Sequence, residues 1–181
     1  MAQFATALIQ QMDDKDAAIE QATALVHAMP AQLEAHWLAR FGQKIGLAEA
    51  TPEDLPLIED LLQRMAAQNA DFTNTFAALH TGKARDQFTD PTIFDAWETS
   101  WRDRLASERN PEDVMAQSNP AIIPRNHRIE QMIEAAVADD FAPFFTLLSA
   151  LAQPFSVSAK YETLTHAPLP TEHVAATFCG T

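Results

Sequence analysis

The 181-residue chain has a single cysteine, 4 glycines and 1 tyrosine, and its 12 Lys and Arg are outnumbered by 25 Asp and Glu. Each shortage removes a class of function. With Cys179 alone, no internal disulfide and no cysteine-based zinc site can form, which suits a reducing compartment such as the cytoplasm. With so few glycines there is no Gly-rich phosphate loop, and neither GxxxxGK[ST] nor GxGxxG occurs. A net charge of −13 repels phosphate backbones and anionic membranes unless the basic residues cluster. They are scattered, apart from Arg102/Arg104 and Arg125/Arg128, so neither nucleic acid nor membrane is an expected partner. Long apolar runs are missing too. The best, residues 141–151, is too short to span a bilayer and contains Pro143. The first residues carry Asp13, Asp14 and Asp16 ahead of the first arginine, Arg40, and read as neither a secretory signal nor a transit peptide.

What the chain does have is helix formers. Ala, Leu, Gln and Glu abound while Val and Ile are sparse. Apolar residues recur at helical spacing. Phe4, Leu8 and Met12 form a first stripe; Ile19, Ala22, Val26 and Met29 form a second. Pro30 suits the first turn of a third helix with Leu33, Trp37 and Phe41 on one face, loosened at its end by Gly42 and Gly46. Asp54 reads as an N-cap with Pro56 in the first turn, so that Ile58, Leu61, Leu62 and Met65 face inward and Asp60 and Arg64 pair outward. Asp71 caps a short helix bearing Phe72, Phe76 and Leu79. Residues 81–89 read as a polar loop. Asp90-Pro91 opens a helix with Phe94, Trp97, Trp101 and Leu105 on its inner face, and Asn110-Pro111 opens another. An irregular connector at 119–125 precedes a helix capped by Asn126. There Ile129, Met132, Ile133, Ala136 and Val137 follow the apolar pattern of an amphipathic helix. Asp140 caps the last helix, which Pro154 ends. Together these predict an all-α, irregular bundle of about seven to nine helices over residues 1–153. An extended C-terminal tail over 154–181 carries Cys179.

The residue patterns offer little chemistry. His127, Glu130 and Glu134 share one side of a helix, yet no HExxH is present and exposed charge explains them; no metal site is expected. Arg125, Asn126, His127 and Arg128 open a helix, where free N–H groups and basic side chains can hold an anion or a partner's carboxylate. A cap with two surface arginines is the plainer reading. The aromatic stripe of Phe94, Trp97 and Trp101 reads as core or interface. Cys179 has no basic neighbour to stabilise a thiolate and reads, on chemistry alone, as an ordinary thiol.

Several stretches in order nevertheless resemble a known family. They are DFTNTF at 71–76, FTDPTIFDAWETSWRDRL at 88–105, NPAIIPRNHRIE at 119–130, DDFAPFFTLLSALAQPF at 139–155 and the terminal TFCGT. This set is similar to the C-terminal region of the selenoprotein O, or YdiU, family of kinase-like proteins. Phe155 departs from the tyrosine that the family commonly has after this proline. The resemblance implies transfer of AMP from ATP to Ser, Thr or Tyr hydroxyls of proteins, with ATP and Mg²⁺ held by a kinase-like part that precedes the matched region. It therefore implies no catalytic residue and no cofactor in this chain. One position carries over: Cys179 stands where the family has its redox residue, third from the end. With no second cysteine present, a redox switch within the chain is not expected.

The expectation is thus a structural and regulatory helical region whose partner is the kinase-like part of the same protein, or another protein, and which is no enzyme by itself. Two alternatives stay open: a free-standing helical interaction module, and a thiol redox protein using Cys179.

Overall fold

The computed structural model describes residues 1–176. Among them the chain forms eight α-helices, four short 3₁₀ segments and no strand. The α-helices are α1 (Ala2–Ile9), α2 (Lys15–Lys44), α3 (Leu55–Gln68), α4 (Phe72–Leu79), α5 (Pro91–Leu105), α6 (Pro111–Ser118), α7 (Asn126–Val137) and α8 (Ala142–Leu151). The all-α class, the helix number and a tail following the bundle agree with the sequence reading.

The core is built on α5. Trp97 and Trp101, one turn apart, stack with ring centroids 5.0 Å apart and are 1% and 2% exposed. Burying an indole leaves its N–H in need of an acceptor. Trp97 Nε1 donates to the Leu57 carbonyl at 2.8 Å, and Trp101 Nε1 donates to the Ile45 carbonyl at 2.7 Å. These bonds tie α5 to the first turn of α3 and to the end of α2. Ile58, Leu61 and Met65 of α3 and Phe76 and Leu79 of α4 close the core, with Ile45, Leu47 and Met115.

Local chemistry explains most element boundaries. The Asp71 side chain accepts from Asn74 N at 2.8 Å, and Asp90 accepts from Thr92 N at 3.0 Å with Pro91 next in line. The end of α2 is a Schellman turn. Gly46 sits at φ +94°, its N–H bonds to the Gln43 carbonyl, and Leu47 N reaches back to the Gly42 carbonyl at 2.9 Å. Gly42 itself is required by a close approach, since a Cβ there would lie 2.3 Å from Ala50 Cβ.

Five expectations are corrected. Pro30 does not open a third helix: α2 runs unbroken for 30 residues with Pro30 inside it. The missing N–H costs one rung of the ladder, and the flanking helix formers carry the helix across. The 81–89 loop is not merely polar, because a 3₁₀ segment at Ala84–Gln87 buries Ala84, and Phe88 beside it is buried as well. Asn126 is the first residue of α7 and not its cap, which is Arg125. Asp140 stands one residue ahead of the cap of α8, Phe141, and still accepts from Ala142 N at 3.0 Å. Arg125, read as one of two surface arginines, is buried at 8% exposure.

Beyond α8 the chain turns back. The Pro154 carbonyl accepts from both Ala121 N (2.9 Å) and Ile122 N (3.1 Å), fastening the end of α8 to the connector before α7. Residues 155–176 alternate extended stretches with 3₁₀ segments at Ala159–Thr165 and Pro170–Glu172. No helix among the described residues is long and apolar enough to cross a membrane.

Candidate functional site

The four residues singled out by sequence, 125–128, lie together at the start of α7. Arg125 points inward and is only 8% exposed. Its Nη1 donates to Asp71 Oδ2 at 2.8 Å, and its Nη2 donates to Asp71 Oδ1 at 3.0 Å and to Asn74 Oδ1 at 2.9 Å. This is the bidentate fork that a guanidinium makes with a carboxylate. Burial by itself would raise the Asp71 carboxyl. The hydrogen bonds from Arg125 and from Asn74 N, with the Arg125 charge, outweigh it and hold the group below the usual carboxylate range.

Arg128 is taken as well. Its Nη1 donates to Gln131 Oε1 at 2.9 Å and its Nη2 to the Thr163 carbonyl at 2.9 Å, in the returning tail. Gln131 in turn donates to Glu172 Oε1 at 2.9 Å, and the other oxygen of Glu172 accepts from Leu169 N at 2.9 Å. The carboxylate that faces Arg125 is thus supplied from within, by Asp71, while Arg128 is held by an amide oxygen and a carbonyl. An external anion would have to compete with them. Asn126 is exposed and makes no side-chain hydrogen bond among the described residues.

His127 is buried, 4% exposed, under the tail. It lines a cavity of about 290 Å³ with Pro124, Pro168, Glu172 and His173, and its Nε2 has no hydrogen-bond partner. Burial lowers its pKa first, the nearby Arg128 and Arg125 charges lower it further, and Glu172 opposes them. The folded state therefore holds the imidazole neutral. Its stabilising contribution is complete above the unfolded histidine pKa of about 6.5 and is lost as pH falls through the lower folded value. The melting temperature should consequently drop between pH 7.5 and 5, and His127→Gln should flatten that slope. An unchanged slope in the variant would assign the dependence to other groups.

A second surface lies on α7 and α8. Met132, Ile133, Ala136 and Val137 of α7 and Phe141 and Phe144 at the start of α8 line an open groove of about 370 Å³. Phe145 and Leu148 extend it, 61% and 56% exposed. The signal was in the sequence: 141–151 is apolar nearly all round, which a helix packed on one side only cannot satisfy.

Among the described residues no three His, Cys, Asp or Glu side chains converge into a metal-binding group. The carboxylates that approach one another are tied to arginines: Asp54 and Glu108 on Arg104, and Asp71 on Arg125. Cys179 lies outside the described residues.

The chain is 58% identical over 181 residues to the protein nucleotidyltransferase YdiU of Roseobacter denitrificans. It is 56% identical to that of Ruegeria sp. strain TM1040 and 54% to that of Ruegeria pomeroyi. In each case all of this chain is matched, yet it spans only 38% of the relative's length. The family described as protein adenylyltransferase SelO matches residues 2–152. That match takes in every α-helix of the fold, and the chain belongs to the SelO family.

Proposed function

We propose that the chain is the C-terminal helical region of a SelO-type protein that transfers AMP from ATP to protein hydroxyls, in the cytoplasm. In this reading it covers and regulates the kinase-like part and performs no chemistry itself. The observation that carries the proposal is the α7–α8 groove. A fold with a complete, tryptophan-centred core still leaves Val137 and three nearby phenylalanines, at positions 141, 144 and 145, more than 40% exposed. Contiguous exposed apolar surface of this kind marks an interaction face. The relatives have the further polypeptide to fill it, since this chain accounts for 38% of their length. ATP and Mg²⁺ belong to that other part. Cys179 holds the position of the family's redox residue, and any thiol partner for it lies in another polypeptide segment.

The test is reconstitution from two pieces. The part of the Roseobacter denitrificans relative that this chain does not match is expressed alone and together with this chain. Co-elution is expected, with transfer of labelled AMP to protein by the pair and none by this chain alone. Val137→Glu should weaken the complex at least tenfold. Failure of the two pieces to associate would overturn the proposal, and AMP transfer by this chain alone would overturn it from the other side.

A further inference from the structure

Beyond Pro154 the tail returns to α7 on thin support. Every residue of 155–176 is half-buried or exposed. Among the described residues, two side-chain hydrogen bonds from α7 hold it. Arg128 Nη2 donates to the Thr163 carbonyl and Gln131 Nε2 donates to Glu172 Oε1, each at 2.9 Å. Leu164, half-buried, shares a recess with Met132 and Leu147 and adds a little apolar burial. A segment held by so few groups opens at a small cost in free energy.

What the tail covers is His127, whose Nε2 is buried and has no hydrogen-bond partner among the described residues. Arg125 and Arg128 face the ring from the start of α7, and Glu172 and His173 face it from the tail; Asp71 of α4 lies behind Arg125. A protonated ring would be a third cation in this covered site, with no acceptor for its Nε2–H. Glu172 is the carboxylate at hand, but both its oxygens are engaged, one by Gln131 and the other by the Leu169 amide. Turning it to the ring would take it from the bonds that hold the tail in place. Protonation therefore works against the covered arrangement by either route.

We propose that residues 159–174 form a strap that lifts off α7 when His127 takes up a proton. Lifting returns the ring to water, releases Arg128 and Gln131, and uncovers the start of α7. The device is independent of the catalytic partner proposed above. Its sign follows from linkage. The covered ring, desolvated and beside two arginines, binds a proton less readily than the uncovered one, so acid favours the lifted state. The ratio of lifted to covered chains should grow by up to about tenfold for each pH unit below the ordinary histidine value of about 6.5, and level off below the lower value of the covered ring. Glu172, held below the usual carboxylate range by its bond from the Leu169 amide, keeps its charge meanwhile.

NMR of the labelled full chain, titrated from about pH 7.5 to about 5, tests the proposal. The ring signals of His127 report its proton, and the heteronuclear NOEs of the amides at 159–174 report the order of the strap. In the wild-type chain the NOEs should fall with the same midpoint as the His127 signal, while the amides of α5 keep theirs. His127→Gln should hold the strap NOEs constant across the range. Gln131→Ala, which cuts one strap bond without changing a charge, should move both midpoints upward together. Three results would overturn the proposal: a strap already loose at pH 7.5, a His127 that titrates while the strap stays ordered, or a loosening that persists in His127→Gln and so belongs to His166 or His173. If His127→Gln does not fold, the wild-type titration and Gln131→Ala decide between the same outcomes.

Discussion

Trp101→Ala is expected to destabilise the fold by about 3–5 kcal/mol, the range for removing a fully buried large aromatic. Three losses coincide at this position. The side chain is 2% exposed, so nearly all its transfer energy is forfeited. Its stack on Trp97, with planes 18° apart, is broken. The Ile45 carbonyl, at the Schellman end of α2, loses its donor. In a chain of this length the melting temperature should fall by roughly 6–20 °C. Trp101→Phe refills most of the volume but not the hydrogen bond and should recover more than half of the loss. A variant that melts like wild type would show that α5 does not organise the core.

Arg125→Met should be the second severe substitution, at about 3–5 kcal/mol, because it leaves the Asp71 carboxylate partly buried without its counter-charge. Asp71→Asn should cost less: asparagine is a good N-cap and can still accept from Asn74 N. The double variant should be less destabilised than the sum of the single changes, a coupling of about 1–3 kcal/mol. Acid adds a second reading. The folded pKa of Asp71 is depressed, so its stabilisation is present above the unfolded aspartate value of about 3.9 and is lost as pH falls through the lower folded value. Arg125→Met should remove part of that acid dependence. Additive single effects with an unaltered acid limb would mean that the pair is solvated and not the clamp between α4 and α7.

These two sites also show what a sequence can and cannot convey. Trp97 and Trp101 were legible because one helix supplies both the stripe and its period, and Asp90-Pro91 announces where that helix begins. The cap at Asp71 was legible for the same reason, being local in sequence, whereas Asp54 stands at the start of α3 but turns its carboxylate to Thr51 and Arg104. Arg125 was not, since its carboxylate lies 54 positions earlier. Only the fold brings the two together, and a basic residue ahead of a helix otherwise reads as surface. Val137 and Phe141 show the opposite limit. Periodicity reports that a helix has an apolar face, not which molecule covers it, and here the covering surface is not contributed by the residues described. Pro30 misled because its two uses, opening a helix and interrupting one, share the same local signature. The family resemblance rested on ordered short segments, which is why it survived these errors: it depended on identity and not on geometry.

The proline within α2 has one more effect. Without an amide hydrogen at position 30, the Val26 carbonyl has no partner along the axis, just where the helix leaves the core. On one side lie Trp37, Phe41 and Gly42, packed among α3, α4 and α6. On the other lies the stretch whose chief support is α1. A helix continuous in shape is thereby divided in cooperativity. The outer segment can open and reclose as a low-stability unit without drawing on the free energy that holds the tryptophan core, so the arm remains adaptable while the body to which it is joined stays rigid.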